Sequence, residues 1–100
     1  MEITINEKKI QLKKTFRSLI AYESATGKAF NPTTVTESIM YFYCVVISSD
    51  SELELTFDTF MDWLDDNPMA LPEFTEWLIE QNTIESKLTK KKTVRANKKA

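Results

Sequence analysis

The sequence has no histidine, one glycine and one cysteine among its 100 residues. Without histidine it lacks the commonest general base of enzymes and the commonest nitrogen ligand of metal sites. The single glycine, Gly27, leaves no material for the glycine-rich loops that hold phosphates. The single cysteine, Cys44, cannot form a disulfide within the chain and lies in an apolar stretch, as reduced intracellular thiols do. These absences predict a protein that is not an enzyme and uses no metal or cofactor.

Basic side chains are missing from the middle of the chain. Residues 29–86 have twelve acidic residues and no lysine or arginine, whereas residues 1–28 have six basic and three acidic residues. Residues 87–100 have seven basic residues and no acidic one, so the net charge of −2 is a near-cancellation of three blocks. Such block charge governs solubility and partner choice and not the fold. It predicts that nucleic acid is not a partner, except through the C-terminal block.

A long apolar run is also absent. The longest, residues 39–47, has nine residues, which is about half of a membrane span. The N-terminus alternates polar and apolar residues and has no signal-peptide pattern. We therefore expect a cytoplasmic protein with no membrane partner. Its size and hydrophobic content of 42% suit one domain over residues 1–86, followed by a flexible basic tail over residues 87–100.

The N-terminal residues predict a β-hairpin packed on helices. Apolar residues alternate with polar ones on both sides of Asn6-Glu7, which is the period-2 pattern of two short strands with one apolar face. Because an isolated hairpin is marginally stable, that face should lie on helices. The alternating apolar residues are Ile3, Ile5, Ile10 and Leu12.

Four helices are predicted after the hairpin. Thr15 could cap the first, and Gly27 stands where a left-handed cap would end it. Thr34 to Glu37 fits a capping box that opens the second, which runs to about Ser48. The fold class expected is α+β and mainly α. The first helix shows the i, i+3, i+4, i+7 pattern at Phe16, Leu19, Ile20 and Glu23. Thr56 caps the third helix, Asn67-Pro68 ends it, and Pro72 lies in the first turn of the last.

The second helix is apolar on both sides. Such a helix is either central in a core or covered by a partner, which can be another copy of the chain. Both interpretations stay open, and a buried strand is a third. If a partner covers it, the contact residues are Met40, Tyr41, Cys44 and Val45. Trp63 lies off the apolar stripe of the third helix and is a further candidate, because tryptophan is frequent at interface hot spots.

The acidic residues do not form a recognisable site. An alignment of residues 48–59 with a calcium loop places Leu53 where glycine is required and Thr59 where the bidentate glutamate is required. Paired carboxylates such as Asp62 and Asp65 lie opposite the apolar stripes, which predicts a solvated, electronegative face. The C-terminal block could bind phosphates, fold back onto that face or extend into solvent. Its basic residues are Lys87, Lys90, Lys91, Lys92, Arg95, Lys98 and Lys99.

Across residues 1–82 the sequence resembles the small tail assembly chaperones of long-tailed bacteriophages and prophages. The resemblance is carried by the segments Leu12–Leu19, Tyr22–Phe30, Tyr41–Cys44, Leu55–Phe60, Asp65–Pro68 and Glu76–Leu78, with Phe74. It implies a non-enzymatic protein of the bacterial host cytoplasm that coats the tape measure protein and keeps it soluble until tail tube subunits polymerise. The resemblance also implies the tail tube protein as a second partner and a longer form made by ribosomal frameshifting. Self-association is expected from the apolar second helix.

Two other functions remain open. An acidic inhibitor that mimics nucleic acid would use the block of twelve acidic residues to fill a basic cleft. A regulatory adaptor would use the basic tail on nucleic acid. The first should lose binding steeply as salt rises, and the second should lose it when residues 87–100 are removed.

Overall fold

The computed structural model describes residues 1–29, 31 and 33–81. A hairpin is followed by helices, which confirms the α+β, mainly α, fold class; the basic tail lies outside the described residues. The elements are β1 (Glu2–Ile5), β2 (Lys8–Gln11), α1 (Phe16–Thr26), α2 (Val35–Ser49), α3 (Phe57–Asp66) and α4, which begins at residue 70 and is helical to residue 81, where the description ends.

The hairpin turns at Asn6 and Glu7, as predicted. Both residues have positive φ, 52° and 64°, which is the backbone of a type I′ turn and matches the twist of the two strands. The strands are antiparallel, and Ile3 lies opposite Ile10. The inner face of the hairpin is buried. The hairpin therefore covers one side of the core, and its turn and register follow from the sequence.

The predicted helix ends are confirmed. The Thr15 side chain accepts a hydrogen bond in a capping box at the start of α1, and Gly27 ends that helix with φ 68° and ψ 17°. Thr34 and Glu37 form the capping box of α2. The Thr56 hydroxyl accepts a hydrogen bond from the backbone of the first turn of α3. These polar caps fix where each helix enters the fold.

The core is built around α2. The Phe42 ring stacks on Phe74 of α4 with centroids 4.2 Å apart and meets Phe60 of α3 edge-on at 5.1 Å. On another side of α2, Tyr41 meets Tyr22 of α1 edge-on at 5.9 Å. Aromatic pairs of this kind add to the free energy gained by burying their area. The described elements therefore enclose α2, and a buried strand at this position is excluded.

The apolar stripe of α1 is only partly buried, since Leu19 packs against the core but its neighbours on the stripe do not. Phe16 and Ile20 are 84% and 64% exposed, and the helix instead buries Ser18 and Tyr22. Burying Ser18 costs little, because its hydroxyl donates to the Thr15 carbonyl at 2.6 Å. The Tyr22 ring then lies against α2, and this large contact rotates the apolar pair outward. Spacing alone identified the helix but not which of its faces is buried.

Candidate interaction surfaces

Three of the predicted contact residues of α2 are in the core. Tyr41 and Val45 are 0% exposed and Cys44 is 2% exposed. A partner could reach them only if the domain opened, so the prediction that they form a contact surface is wrong. The physical reason is that α1 and the other described elements already cover the second face of α2. Met40 is half-buried and retains some accessible surface.

Burial also defines the chemical character of Cys44. Its apolar surroundings raise the pKa of the thiol to about 11. The thiol therefore stays protonated at neutral pH, and the thiolate is the reactive form of cysteine. Cys44 is a packing residue.

Trp63 is half-buried and has a structural role. Its ring lies 5.8 Å from that of Phe60 and 6.2 Å from that of Phe42. The indole Nε1–H donates to the backbone carbonyl of Thr4 at 2.9 Å. Because this bond joins residues 59 positions apart in the chain, it ties α3 to the hairpin. Only the remaining surface of Trp63 is open to a partner.

That surface lines a groove between β1 and the corner where α3 leads into α4. The groove has a volume of about 430 Å³. Three carboxylates lie on it, from Glu2, Asp66 and Glu73, and the exposed side chain of Met69 adds apolar surface. We call this the corner groove. Its lining is Glu2, Ile3, Thr4, Trp63, Asp66, Asn67, Pro68, Met69, Ala70 and Glu73.

The exposed pair on α1 is a second surface. Phe16 and Ile20 are one helical turn apart and therefore lie side by side on the same face. The exposed basic residues Lys13 and Arg17 lie beside them in the sequence. The sequence pattern found these apolar positions as part of a helical stripe, which is ordinarily assigned to a core. The signal against that assignment, the size and polarity of Tyr22 beside a small Ser18, is too weak to read without the structure.

Acidic side chains cover much of the rest of the described surface. Nine acidic residues of the block over residues 29–86 are exposed, which confirms their predicted solvated position: Glu52, Glu54, Asp58, Asp62, Asp65, Asp66, Glu73, Glu76 and Glu80. Within residues 1–29, 31 and 33–81, no three cysteine, aspartate or glutamate side chains come close enough to hold a metal ion. In the same part of the chain no helix is long and apolar enough to cross a bilayer.

Two further carboxylates have local partners. Asp50 pairs with Lys8 at 2.5 Å, and this contact lowers the pKa of Asp50 and raises that of Lys8. Glu37 accepts hydrogen bonds from Thr34 and Thr33, which lower its pKa. Burial, and secondarily the Glu37 carboxylate, raises the pKa of Tyr22. These contacts join the hairpin and α1 to the two ends of α2.

Comparison of the chain with protein-family models, with curated proteins and with solved structures gives no match. Its function is therefore inferred from its own residues. Of the predicted site residues, Met40 and Trp63 keep partial access to solvent, while the basic residues from Lys87 onward lie outside the described part.

Proposed function

We propose that this protein is a non-enzymatic tail assembly chaperone, which binds the tape measure protein and keeps it soluble in the bacterial host cytoplasm while a phage tail assembles. The observation that supports this most is the outward position of Phe16 and Ile20 on α1. A large aromatic and a β-branched side chain, exposed together on a well-capped helix, form a ridge that fits the apolar stripe of a helical client.

The size of the contact suits a chaperone that must later release its client. Burying a Phe or Ile side chain contributes about 1.5–3 kcal/mol. Part of that gain is offset by the cost of association. One copy would therefore bind weakly, and several copies on one long client would hold it together through multivalency. Weak single contacts also allow tail tube subunits to displace the chaperone.

The acidic surface supports the same function. The nine exposed carboxylates between Glu52 and Glu80 give each copy a strongly negative described surface beyond residue 29. Mutual repulsion between coated clients would keep them dispersed. The α1 ridge carries both signs of charge instead, because Arg17 adjoins Phe16 in the sequence and the exposed Glu23 lies about one turn beyond Ile20.

A second candidate is an acidic inhibitor that mimics nucleic acid. The same nine exposed carboxylates favour it, because they could fill a basic cleft. The two functions differ in their response to salt. Binding through carboxylates should fall steeply between about 0.1 M and about 1 M salt, since the screening length shrinks from about 10 Å to about 3 Å. Binding through apolar burial should persist.

The test is co-expression with the candidate client. The client is the long, coiled-coil-rich protein whose reading frame is expected just downstream in the same genome. We expect it to be insoluble alone, to become soluble with this chain, and to stay bound at about 1 M salt. Absence of such a reading frame, or a complex that dissociates at high salt, would contradict the chaperone function; the second outcome would favour the inhibitor. A deletion of residues 87–100 should leave the complex intact, whereas an adaptor that acts through the tail would lose its partner.

A further inference from the structure

The corner groove has features of a site for an extended basic segment. Glu2, Asp66 and Glu73 place three carboxylates along it, while Trp63 and Met69 provide apolar surface. Among the residues that the structure describes, no lysine or arginine lines it. A ligand that matches this lining has several positive charges and at least one small apolar side chain.

One wall of the groove is the outer edge of β1. The Leu12 amide donates to the Met1 carbonyl, and bonding alternates along an antiparallel pair, so the backbone groups of Glu2 and Thr4 point away from β2. The Thr4 carbonyl accepts the Trp63 indole N–H, in agreement with this direction. A strand edge of this kind pairs readily with an extended peptide.

We propose that the occupant of the corner groove is the C-terminal segment of the same chain, residues 87–100. Its seven basic residues complement the three carboxylates of the groove. Its central part, Lys90 to Arg95, also contains Thr93 and Val94, two β-branched residues that favour an extended backbone. Val94 can lie on Trp63 or Met69 while the neighbouring cations face the acidic residues.

The length of the chain permits this docking. Ala70 lines the groove at the start of α4, and residue 81 is eleven positions further along that helix, about 17 Å away. Residues 82–91 can span about 33 Å when extended. Lys92 and the residues after it can therefore return to the groove within one molecule. The covalent link gives the segment a high effective concentration, so even weak contacts are populated.

Docking of the tail would give the protein two states. When the tail is docked, it occupies the groove and neutralises part of the acidic surface; when it is displaced, both become available to another ligand. The ligand class that would compete for the groove is a polycationic peptide. This inference does not depend on which client binds Phe16 and Ile20, because those residues are on α1 and outside the groove lining.

The experiment is paramagnetic relaxation in the full chain. A nitroxide is attached to Asn97→Cys; Cys44 does not compete for the label, because it is 2% exposed. We expect loss of amide signal at residues 2–4 and 66–73. The charge-reversed variant Asp66→Lys with Glu73→Lys should recover that signal. The matched control Glu54→Lys with Asp62→Lys changes two exposed acids outside the groove and should not recover it.

Three outcomes would overturn the proposal. The first is no signal loss at the groove. The second is equal signal loss over all acidic surfaces, with the same recovery in the control variant, which would indicate non-specific attraction. The third comes from a mixture of two chains, in which one carries the nitroxide and no isotope and the other carries the isotope and no nitroxide. It is signal loss in that mixture but none within a single molecule that carries both. That result would assign the groove to a second copy of the chain.

Discussion

Helices α1 and α2 pack against each other but use their apolar residues in opposite ways. On α2 the aromatic and aliphatic side chains are enclosed, and Phe42 and Tyr41 are 0% exposed. On α1 the two bulky apolar side chains, Phe16 and Ile20, face solvent, and Ser18 and Tyr22 face the core. The helix with more apolar residues is therefore the structural one, and the helix with fewer carries the candidate contact surface.

The difference shows that apolar content does not locate an interface. A helix that is apolar all round finds enough cover within this small chain, because the hairpin and the other helices surround it. An exposed apolar pair on an otherwise polar helix has no such cover among the described residues. The functional interpretation therefore moves from α2, where the sequence placed it, to α1.

Removing a large side chain from α2 should have the largest effect on stability. Phe42→Ala deletes a ring that stacks on Phe74 and meets Phe60, and should lower the free energy of unfolding by about 3–5 kcal/mol. The measurement is urea denaturation followed by circular dichroism. Phe42→Leu, a smaller change, keeps a measurable transition if the alanine variant does not fold.

The matched variant on α1 is Phe16→Ala. Because Phe16 is 84% exposed, its truncation should change the free energy of unfolding by no more than about 0.5 kcal/mol. Equal losses of stability in the Phe16 and Phe42 variants would show that α1 also packs through its apolar pair, and the comparison between the two helices would fail.

Loss of the cap of α2 should have an intermediate effect. Thr34→Ala removes the hydroxyl that accepts the Glu37 amide at 3.1 Å and should destabilise the domain by about 1 kcal/mol. Thr36→Ala, at the exposed second residue of the same helix, is the control and should be near neutral. Thermal unfolding measures both; a neutral Thr34 variant would mean that packing alone positions α2.

Acid should weaken the same helix end. Hydrogen bonds from Thr34 and Thr33 hold the pKa of Glu37 below its ordinary value of 4.5. The unfolded chain therefore binds a proton more readily, so this stabilisation is complete above that pH and is lost as the pH falls through the lower, folded pKa. The difference in urea midpoint between the wild type and Glu37→Gln should shrink as the pH falls from the ordinary pKa of glutamate through the lower pKa of the folded protein. A difference that is constant with pH would exclude a charge-dependent role.

Local rules explain most of what the sequence predicted correctly. Asn6-Glu7, Gly27 and the capping residues Thr15 and Thr34 act on backbone groups within a few positions, so their effects can be read from neighbours. The buried face of α1 and the hydrogen bond from Trp63 to Thr4 depend on residues far apart in the chain. The spacing of apolar residues within one helix or strand does not predict contacts between residues so far apart. The corner groove could not be predicted for the same reason, since its lining comes from β1 and from the distant α3–α4 corner.

The most direct test is the affinity of a double variant, Phe16→Ser with Ile20→Ser, for the proposed helical client. The matched control is Val35→Ser with Ile79→Ser, which also removes two exposed apolar side chains but leaves α1 unchanged. Isothermal titration with a soluble helical segment of that client at about 1 M salt, where exposed charge contributes little, should show the α1 variant binding at least about tenfold more weakly and the control binding like the wild type. If the α1 variant binds as tightly as the wild type and the control, the assignment of the contact to Phe16 and Ile20 is contradicted.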